Sequence, residues 1–208
     1  MKMEAMLNTL TSLRASLENL PELDLTALPP DTLVFTVDMN RGFTEQGPLS
    51  SPRTAAILPQ TAAFLRRCRE AGLRVYGISD THPEDSPEFQ SYPPHCVQGT
   101  AECEFSPLLL PFVEEVLPKN STNALFEAPI RQLCESASRI VVTGCCTDIC
   151  VCQFAVGLKA WANAQNRALQ VLVPVSLCET FDGPGHDGEL MNLVAFSMMA
   201  AAGVTLTK

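Results

Sequence analysis

The sequence predicts a single α/β domain in three layers, with a mainly parallel central sheet and helices on both faces. Short apolar runs that suit buried parallel strands alternate with longer segments of helical periodicity. The chain has 208 residues, of which 46% are hydrophobic, and this is enough for one packed core. We expect that domain over residues 31–208, preceded by a helical extension and a proline-rich connector over residues 1–30.

Five apolar segments are predicted to be strands, and they cover residues 33–37, 73–79, 139–143, 169–175 and 204–206. Helices are predicted over residues 3–20, 54–71, 106–117, 128–136, 148–163 and 189–202. A polar, proline-rich loop is predicted over residues 81–100. Because ligands bind outside the carboxyl ends of parallel strands, we expect residues that follow those ends to share one crevice.

Charge and composition favour a cytoplasmic protein without nucleic-acid or membrane partners. The net charge is −9 and no basic block occurs, which argues against nucleic-acid binding. Residues 1–20 lack the apolar core of a signal peptide, and no apolar run is long enough for a membrane helix. The nine cysteines are therefore expected to be reduced thiols.

The segment GCCTDIC, residues 144–150, places three cysteines within six positions. Together with Cys152 they match neither zinc nor iron–sulfur spacing, which disfavours a metal or disulfide interpretation. Cys150 falls at the predicted start of a helix, where the dipole and free N–H groups lower a thiol pKa and can hold an oxyanion. The segment thus predicts one nucleophile, whereas packing in the core is the alternative and is what we expect of Cys134 and Cys152.

Two further groups are candidates for proton and charge handling. Asp38 directly follows the first strand, and a partly desolvated carboxylate can take the proton of a thiol. An ordinary strand-end cap is an equal alternative for Asp38. Lys119 stands alone in an apolar stretch, and on this local pattern a solvated lysine is the better interpretation.

A metal-binding pattern follows the second strand. Asp80 and His82 alternate at the strand end and therefore face the same side, and Glu88 and His95 come from the next loop. Two imidazoles and two carboxylates suit zinc, manganese or iron. The alternative is a polar surface loop without a metal.

Together these segments resemble the isochorismatase-like cysteine hydrolases over about residues 33–206. The motifs that carry the resemblance are VFTVDMNRGF (34–43), SDTHPEDSPEFQSYPPHCVQGT (79–100), LPKNSTNALFE (117–127) and VTGCCTDICV (142–151). The resemblance implies a catalytic triad of Asp38, Lys119 and Cys150. It also implies an oxyanion hole formed by the N–H groups of Cys146 and Cys150, with a cis peptide before Cys146.

Within this family, the metal-binding pattern and PPHCVQGT resemble nicotinamidases. The resemblance makes Asp80, His82 and His95 ligands of a divalent metal, foremost zinc, with Glu88 as a further ligand. That metal holds the ring nitrogen of nicotinamide. Substrate contacts are expected from Phe43, Tyr92, Phe126 and Cys145. Asn40 and Gly42 depart from the family pattern, which has a glutamine and an aspartate there.

The resulting hypothesis is a nicotinamidase that hydrolyses nicotinamide to nicotinate and ammonia through a cysteine thioester. One alternative is an amidase of the same family acting on another small or heteroaromatic carboxamide. A second is a non-catalytic binding protein on the same scaffold. The family's habit also favours a homo-oligomer, and His186, just before the last helix, is expected to be structural.

Overall fold

The computed structural model describes residues 2–208, and its centre is a seven-stranded sheet. The strands are β1 (Leu33–Val37), β2 (Arg74–Asp80), β3 (Glu115–Lys119), β4 (Arg139–Cys145), β5 (Gln170–Pro174), β6 (Cys178–Glu179) and β7 (Thr205–Thr207). The α-helices are α1 (Lys2–Glu18), α2 (Arg41–Thr44), α3 (Pro52–Ala56), α4 (Leu58–Glu70), α5 (Ala128–Glu135), α6 (Cys152–Ala164) and α7 (Gly188–Ala201). A π-helical turn, Thr147–Val151, directly precedes α6.

The sheet is parallel and its strand order reverses at the centre. Six strands follow the order β3-β2-β1-β4-β5-β7, while the short β6 pairs with the carboxyl end of β4. The chain builds outward from β1 to β3 on one side and from β4 to β7 on the other. The carboxyl ends of β1 and β4 therefore form a topological switch point, the usual ligand site of such sheets. The predicted fold class is confirmed.

Strand β1 shows why the sheet is covered on both faces. All five of its residues are buried. Leu33, Phe35 and Val37 belong to the core that contains α5, α6 and α7. Val34 points to the opposite core, which contains Leu65 of α4. A strand buried on both faces needs a continuous apolar run, and this is what made β1 predictable.

The helix predicted over residues 106–117 is wrong. Pro111 lies in a one-turn 3₁₀ helix, Leu110–Phe112, and the chain continues as β3. Within β3, Leu117 and Lys119 are buried while Pro118 between them is exposed, which is the alternation of a strand. Because β3 is an edge strand that pairs only with β2, it tolerates a proline.

The amino-terminal helix lies outside the layers of the sheet. None of the residues of α1 is buried, and the helix packs against α7. The segment after α1 is tied to the other end of the chain, since the N–H of Lys208 donates to the carbonyl of Pro21 at 2.9 Å. No helix within residues 2–208 is both long enough and apolar enough to cross a membrane.

Candidate active site

Four strand ends bring Asp38, Asp80, Lys119 and Cys150 together at the switch point. Asp38 follows β1, and Asp80 and Lys119 end β2 and β3, where they are partners in the register. Cys150 lies in the π-helical turn after β4. Each of the four is at most 6% exposed. Cys150 Sγ and one carboxylate oxygen each of Asp38 and Asp80 lie within 4.8 Å of one another.

The turn that carries Cys150 depends on Gly144. Its φ is +114°, and a Cβ atom at this position would collide with the backbone of Val37 on the neighbouring strand. Only glycine combines this conformation with so close an approach. The peptide bond between Cys145 and Cys146 is cis, as the family resemblance implies. The N–H of Val151 then donates to the carbonyl of Cys146 at 3.2 Å, which closes the turn.

Within residues 2–208, Lys119 is the one lysine or arginine in contact with this group of buried acids and the thiol. Its Nζ lies 2.9 Å from Asp38 Oδ2 and 3.6 Å from Cys150 Sγ, and it also contacts Asp80 Oδ1. The N–H of Asp80 donates to Asp38 Oδ1 at 3.0 Å, which fixes the orientation of the carboxylate. A solvated lysine, the better interpretation from local pattern alone, is wrong because Lys119 is only 1% exposed.

Burial changes the pKa of both Asp38 and Cys150. Burial raises the pKa of Asp38 to about 7; the charge of Asp80 adds to this effect and Lys119 opposes it. Burial also raises the pKa of the Cys150 thiol well above its usual range, and Lys119 offsets this only in part. The expected lowering of the Cys150 pKa by a helix dipole is therefore wrong. The thiol needs a base, and Asp38 accepts protons near neutral pH.

Lys119 remains charged in this environment. Burial alone lowers the pKa of a lysine, but the charges of Asp38, Cys150 and Asp80 outweigh it and raise the pKa of Lys119 well above 10.5. Burial likewise opposes ionisation of Asp80, yet Lys119 and the neighbouring imidazoles lower its pKa. A permanent positive charge thus faces both the nucleophile and its base.

The predicted ligand cluster is assembled beside these groups. One donor atom each from Asp80, His82, Glu88 and His95 lies within 4.8 Å of all the others. Nε2 of His82 is 3.5 Å from Asp80 Oδ1 and 4.0 Å from Glu88 Oε1, and Nε2 of His95 is 3.5 Å from Asp80 Oδ2. Both imidazoles are buried, although most of the loop that carries them is exposed.

The orientation of the two imidazoles fits a cation. Nδ1 of His82 lies 2.8 Å from Asn120 Oδ1, and Nδ1 of His95 lies 2.9 Å from the carbonyl oxygen of Pro93. Both partners are acceptors, so Nδ1 carries the proton and Nε2 presents its lone pair to the shared space. Nε2 of His82 is buried without a hydrogen-bond partner. These residues therefore fit a divalent ion that takes nitrogen and oxygen ligands.

A cavity joins Cys150 to the ligand cluster. It is lined by Phe43, Leu49, Asp80, Glu88, Tyr92, His95, Thr122, Cys146, Ile149, Cys150 and Phe181. Phe43 and Tyr92, predicted as substrate contacts, are on its wall. The sequence analysis did not predict three apolar residues of the wall, Leu49, Ile149 and Phe181. Of these, Ile149 could have been predicted, because it lies between Asp148 and Cys150 in the motif.

Two predicted substrate contacts lie elsewhere. Phe126 is 74% exposed and is not part of the cavity wall, because the 3₁₀ helix Ala124–Phe126 turns its ring to solvent. Cys145 is fully buried behind the turn, and its Sγ donates to the carbonyl of Asp38 at 3.0 Å. The prediction that these two residues contact the substrate is therefore wrong. Cys145 instead links the turn that carries Cys150 to the end of β1.

The two departures from the family pattern have structural explanations. The buried Asn40 donates from Nδ2 to the carbonyl oxygen of Asp80 at 3.1 Å, so it ties α2 to the end of β2. At Gly42 a Cβ would lie 2.8 Å from Cys96 Sγ. An aspartate does not fit there without movement of the loop that carries His95.

Comparison with known proteins identifies relatives. The sequence model of the Isochorismatase domain matches residues 32–206. Nicotinamidase 1 of Arabidopsis thaliana is 30% identical over an alignment of 145 residues, and the match covers 62% of this chain and 59% of the relative. The matching region thus spans less than two thirds of that relative's length.

Solved structures share the fold. The pyrazinamidase/nicotinamidase of Streptococcus mutans superposes with a TM-score of 0.71 at 20% identity, covering 84% of this chain and 99% of that one. The pyrazinamidase of Pyrococcus horikoshii in complex with zinc gives 0.71 at 21% identity, covering 86% and 99%. PnC1 of L. infantum in complex with nicotinate gives 0.69 at 22% identity, covering 90% and 95%. The family match over most of the chain shows that this protein belongs to the isochorismatase domain family.

Proposed function

We propose that the protein is a nicotinamidase that hydrolyses nicotinamide to nicotinate and ammonia through a thioester on Cys150. The observation that carries the proposal is that Cys150 lines the same cavity as Asp80, Glu88 and His95 of the ligand cluster. Asp38 lies directly behind the thiol, with a carboxylate oxygen within 4.8 Å of the sulfur. The names of the relatives, several of them nicotinamidases, support the same substrate class.

The reaction begins with the thiol proton. Asp38, whose pKa is about 7, takes the proton from Cys150 as the sulfur attacks the carboxamide carbon. Lys119, 3.6 Å from the sulfur, stabilises the thiolate while it forms. Proton and charge therefore stay within three buried side chains, and no solvent proton is needed at this step.

The tetrahedral intermediate places a negative charge on the former carbonyl oxygen. The N–H groups of Cys146 and Cys150 are the proposed donors to it, and such donors contribute roughly 3–4 kcal/mol each. The C–N bond then breaks, and protonated Asp38 gives its proton to the leaving nitrogen. Ammonia departs and the acyl group remains on Cys150 as a thioester.

Hydrolysis returns the enzyme to its initial state. Asp38, again ionised, takes one proton from a water molecule whose oxygen attacks the thioester carbon. The C–S bond breaks, nicotinic acid is released, and the thiolate recovers the proton from Asp38. One water is consumed and one ammonia is produced for each turnover.

Asp80, His82 and His95, with Glu88, are the residues that would hold a divalent metal. When bound there, the metal supplies a positive charge that accepts the lone pair of the pyridine nitrogen and so orients the ring. The cavity itself suits a flat aromatic ring, because Phe43, Tyr92 and Phe181 form much of its wall.

The test is ammonia release from nicotinamide by the purified protein. Cys150→Ala should remove turnover, whereas Cys152→Ala is the matched control, since this buried cysteine faces the carbonyl of Ala195 rather than the cavity. A Cys150→Ala variant with wild-type activity would show that the mechanism is wrong.

The substrate is tested separately with a panel of amides. Nicotinamide, pyrazinamide and a ureido compound should be compared, each with and without a chelator. We expect turnover of the ring carboxamides and loss of that turnover in the chelator. Ammonia from the ureido compound but not from nicotinamide would overturn the substrate assignment and leave the cysteine hydrolase.

A further inference from the structure

A second aromatic residue covers the outer side of the cavity wall. The ring of His186 stacks on Phe181 with centroids 3.9 Å apart and an angle of 4° between the planes. Phe181 also lines the cavity that contains Cys150. The position of this wall therefore depends on what holds His186.

A tight turn brings His186 back over Phe181. Gly183 and His186 exchange both backbone hydrogen bonds, each 2.9 Å long. Pro184 and Gly185 occupy the two central positions, and Gly185 has a φ of +75°. Proline followed by a glycine with positive φ is the pattern of a type II turn, which fixes the backbone of this short segment.

Both ring nitrogens of His186 face acceptors. Nε2 lies 2.9 Å from Asp148 Oδ2, and Nδ1 lies 2.9 Å from the carbonyl oxygen of Phe181. The other carboxylate oxygen of Asp148 accepts a hydrogen bond from the hydroxyl of Thr180 at 2.6 Å. The imidazole therefore lies between the backbone of Phe181 and the side chain of Asp148 and links the two.

The contact between His186 and Asp148 is largely shielded from solvent. The side chain of Asp148 is 7% exposed and that of His186 is 18% exposed. Asp182 and Asp187 are the acids of the same segment. Arg53 of α3 pairs with Asp182 at 3.5 Å and with Glu179 at 3.0 Å.

We propose that His186 is a positioning residue that fastens the cavity wall at Phe181 to the turn that carries Asp148 and Cys150. Asp148 is two residues before Cys150, and the residue between them, Ile149, also lines the cavity. The pair thus sets the distance between the ring-binding wall and the sulfur. The proposal depends on the proposed function only because the kinetic test uses nicotinamide as the substrate.

Kinetics should show a defect in binding rather than in chemistry. His186→Gln retains one donor group, and His186→Phe retains a flat ring for the stack but has no donor. We expect both to raise KM by about tenfold, the effect of losing a charged hydrogen bond, with kcat within about twofold. Asp187→Asn is the control in the same segment, since it keeps a side-chain cap for α7 and touches neither Phe181 nor Asp148.

The contact between His186 and Asp148 is read directly by NMR of the protein with ¹⁵N-labelled histidine. The chain has three histidines, and the signals of His186 are those missing from His186→Gln. We expect the ring signals of His186 to shift in Asp148→Asn, because Nε2 of His186 lies 2.9 Å from Asp148 Oδ2. Ring signals that do not change in Asp148→Asn, or a His186→Phe variant with wild-type KM, would overturn the proposal. If nicotinamide is not hydrolysed, the proposed function fails, yet the NMR result still decides whether His186 binds Asp148.

Discussion

Replacement of Lys119 by methionine tests whether the buried charges of the site are balanced by this single lysine. The substitution keeps the length of the side chain and removes its charge. Two carboxylates, Asp38 and Asp80, then face each other in a buried site without the cation that contacts both. We expect the variant to be less stable and to lose activity.

The magnitude follows from the geometry. At the 2.9 Å separation of Lys119 and Asp38, an effective dielectric constant of about 20 gives a Coulomb attraction of roughly 6 kcal/mol before desolvation. Removal of one partner from a buried ion pair costs about 3–5 kcal/mol in practice. We therefore expect the free energy of unfolding at pH 7 to fall by about 3–5 kcal/mol.

The pH dependence gives the prediction its sign. In the wild type, burial raises the pKa of Asp80, but the charge of Lys119 and hydrogen bonds outweigh burial and lower that pKa. The stability that the charged Asp80 contributes is therefore present above the unfolded pKa of about 4 and is lost as pH falls below it. The variant lacks this contribution. The difference between wild type and Lys119→Met should thus be fully present from pH 7 down to about pH 4 and should shrink below about pH 4.

Urea denaturation of the chelator-treated proteins, followed by far-UV circular dichroism, measures this difference. Lys159→Met is the matched control, because Lys159 contributes only a hydrogen bond of 3.0 Å to the carbonyl of Leu169. It should cost about 1 kcal/mol. A Lys119→Met variant within 1 kcal/mol of the wild type at pH 7, or a difference that grows as pH falls, would refute the charge-balance argument.

Three further predictions concern the base, the ligand cluster and the turn. Asp38 accepts a proton only when ionised, and its pKa is about 7, so kcat/KM should rise with pH through about 7. Asp38→Asn should lower kcat/KM by about 10²–10⁴. A wild-type pH profile that is flat would contradict a role of Asp38 as the base. Asn120→Ala should weaken zinc binding about 10–100-fold in a chelator competition, since Asn120 orients His82, and an unchanged affinity would exclude that role. Gly72→Ala should cost about 1–2 kcal/mol in urea denaturation, whereas Gly144→Ala should cost more because its Cβ meets Val37; equal losses would argue against the collision.

The sequence predicts those parts of the fold in which local pattern and burial agree. Strand β1 was predicted with its observed bounds, because burial on both faces requires five consecutive apolar residues. Strand β3 was missed for the opposite reason. It is a half-covered edge strand that contains a proline, and its buried lysine reads as a surface residue. The pairing of the strands in the folded sheet decides which strand lies at its edge, and this cannot be read from a local sequence pattern.

The same distinction applies to the site. The positions of Asp38 and Cys150 follow from strand ends and were predictable, but the pKa of Cys150 was not. A helix start suggests a low thiol pKa, whereas the observed thiol is so deeply buried that desolvation outweighs the opposing charge of Lys119. Phe126 was predicted as a contact from its closeness in sequence to Lys119. Phe181 was missed because it reaches the cavity from a segment remote in sequence.

The catalytic and ligand halves of the site are not independent, and this follows from the pairing of two strands. Asp80 and Lys119 are 39 positions apart in the chain but opposite each other in the register of β2 and β3. Asp80 contacts Lys119 through Oδ1 and lies 3.5 Å from both ligand imidazoles, while Lys119 contacts Asp38. One carboxylate and one ammonium group therefore connect the base of the reaction to the cation site. The motif around Asp80 and the motif around Lys119 acquire a common function only when the two strands pair.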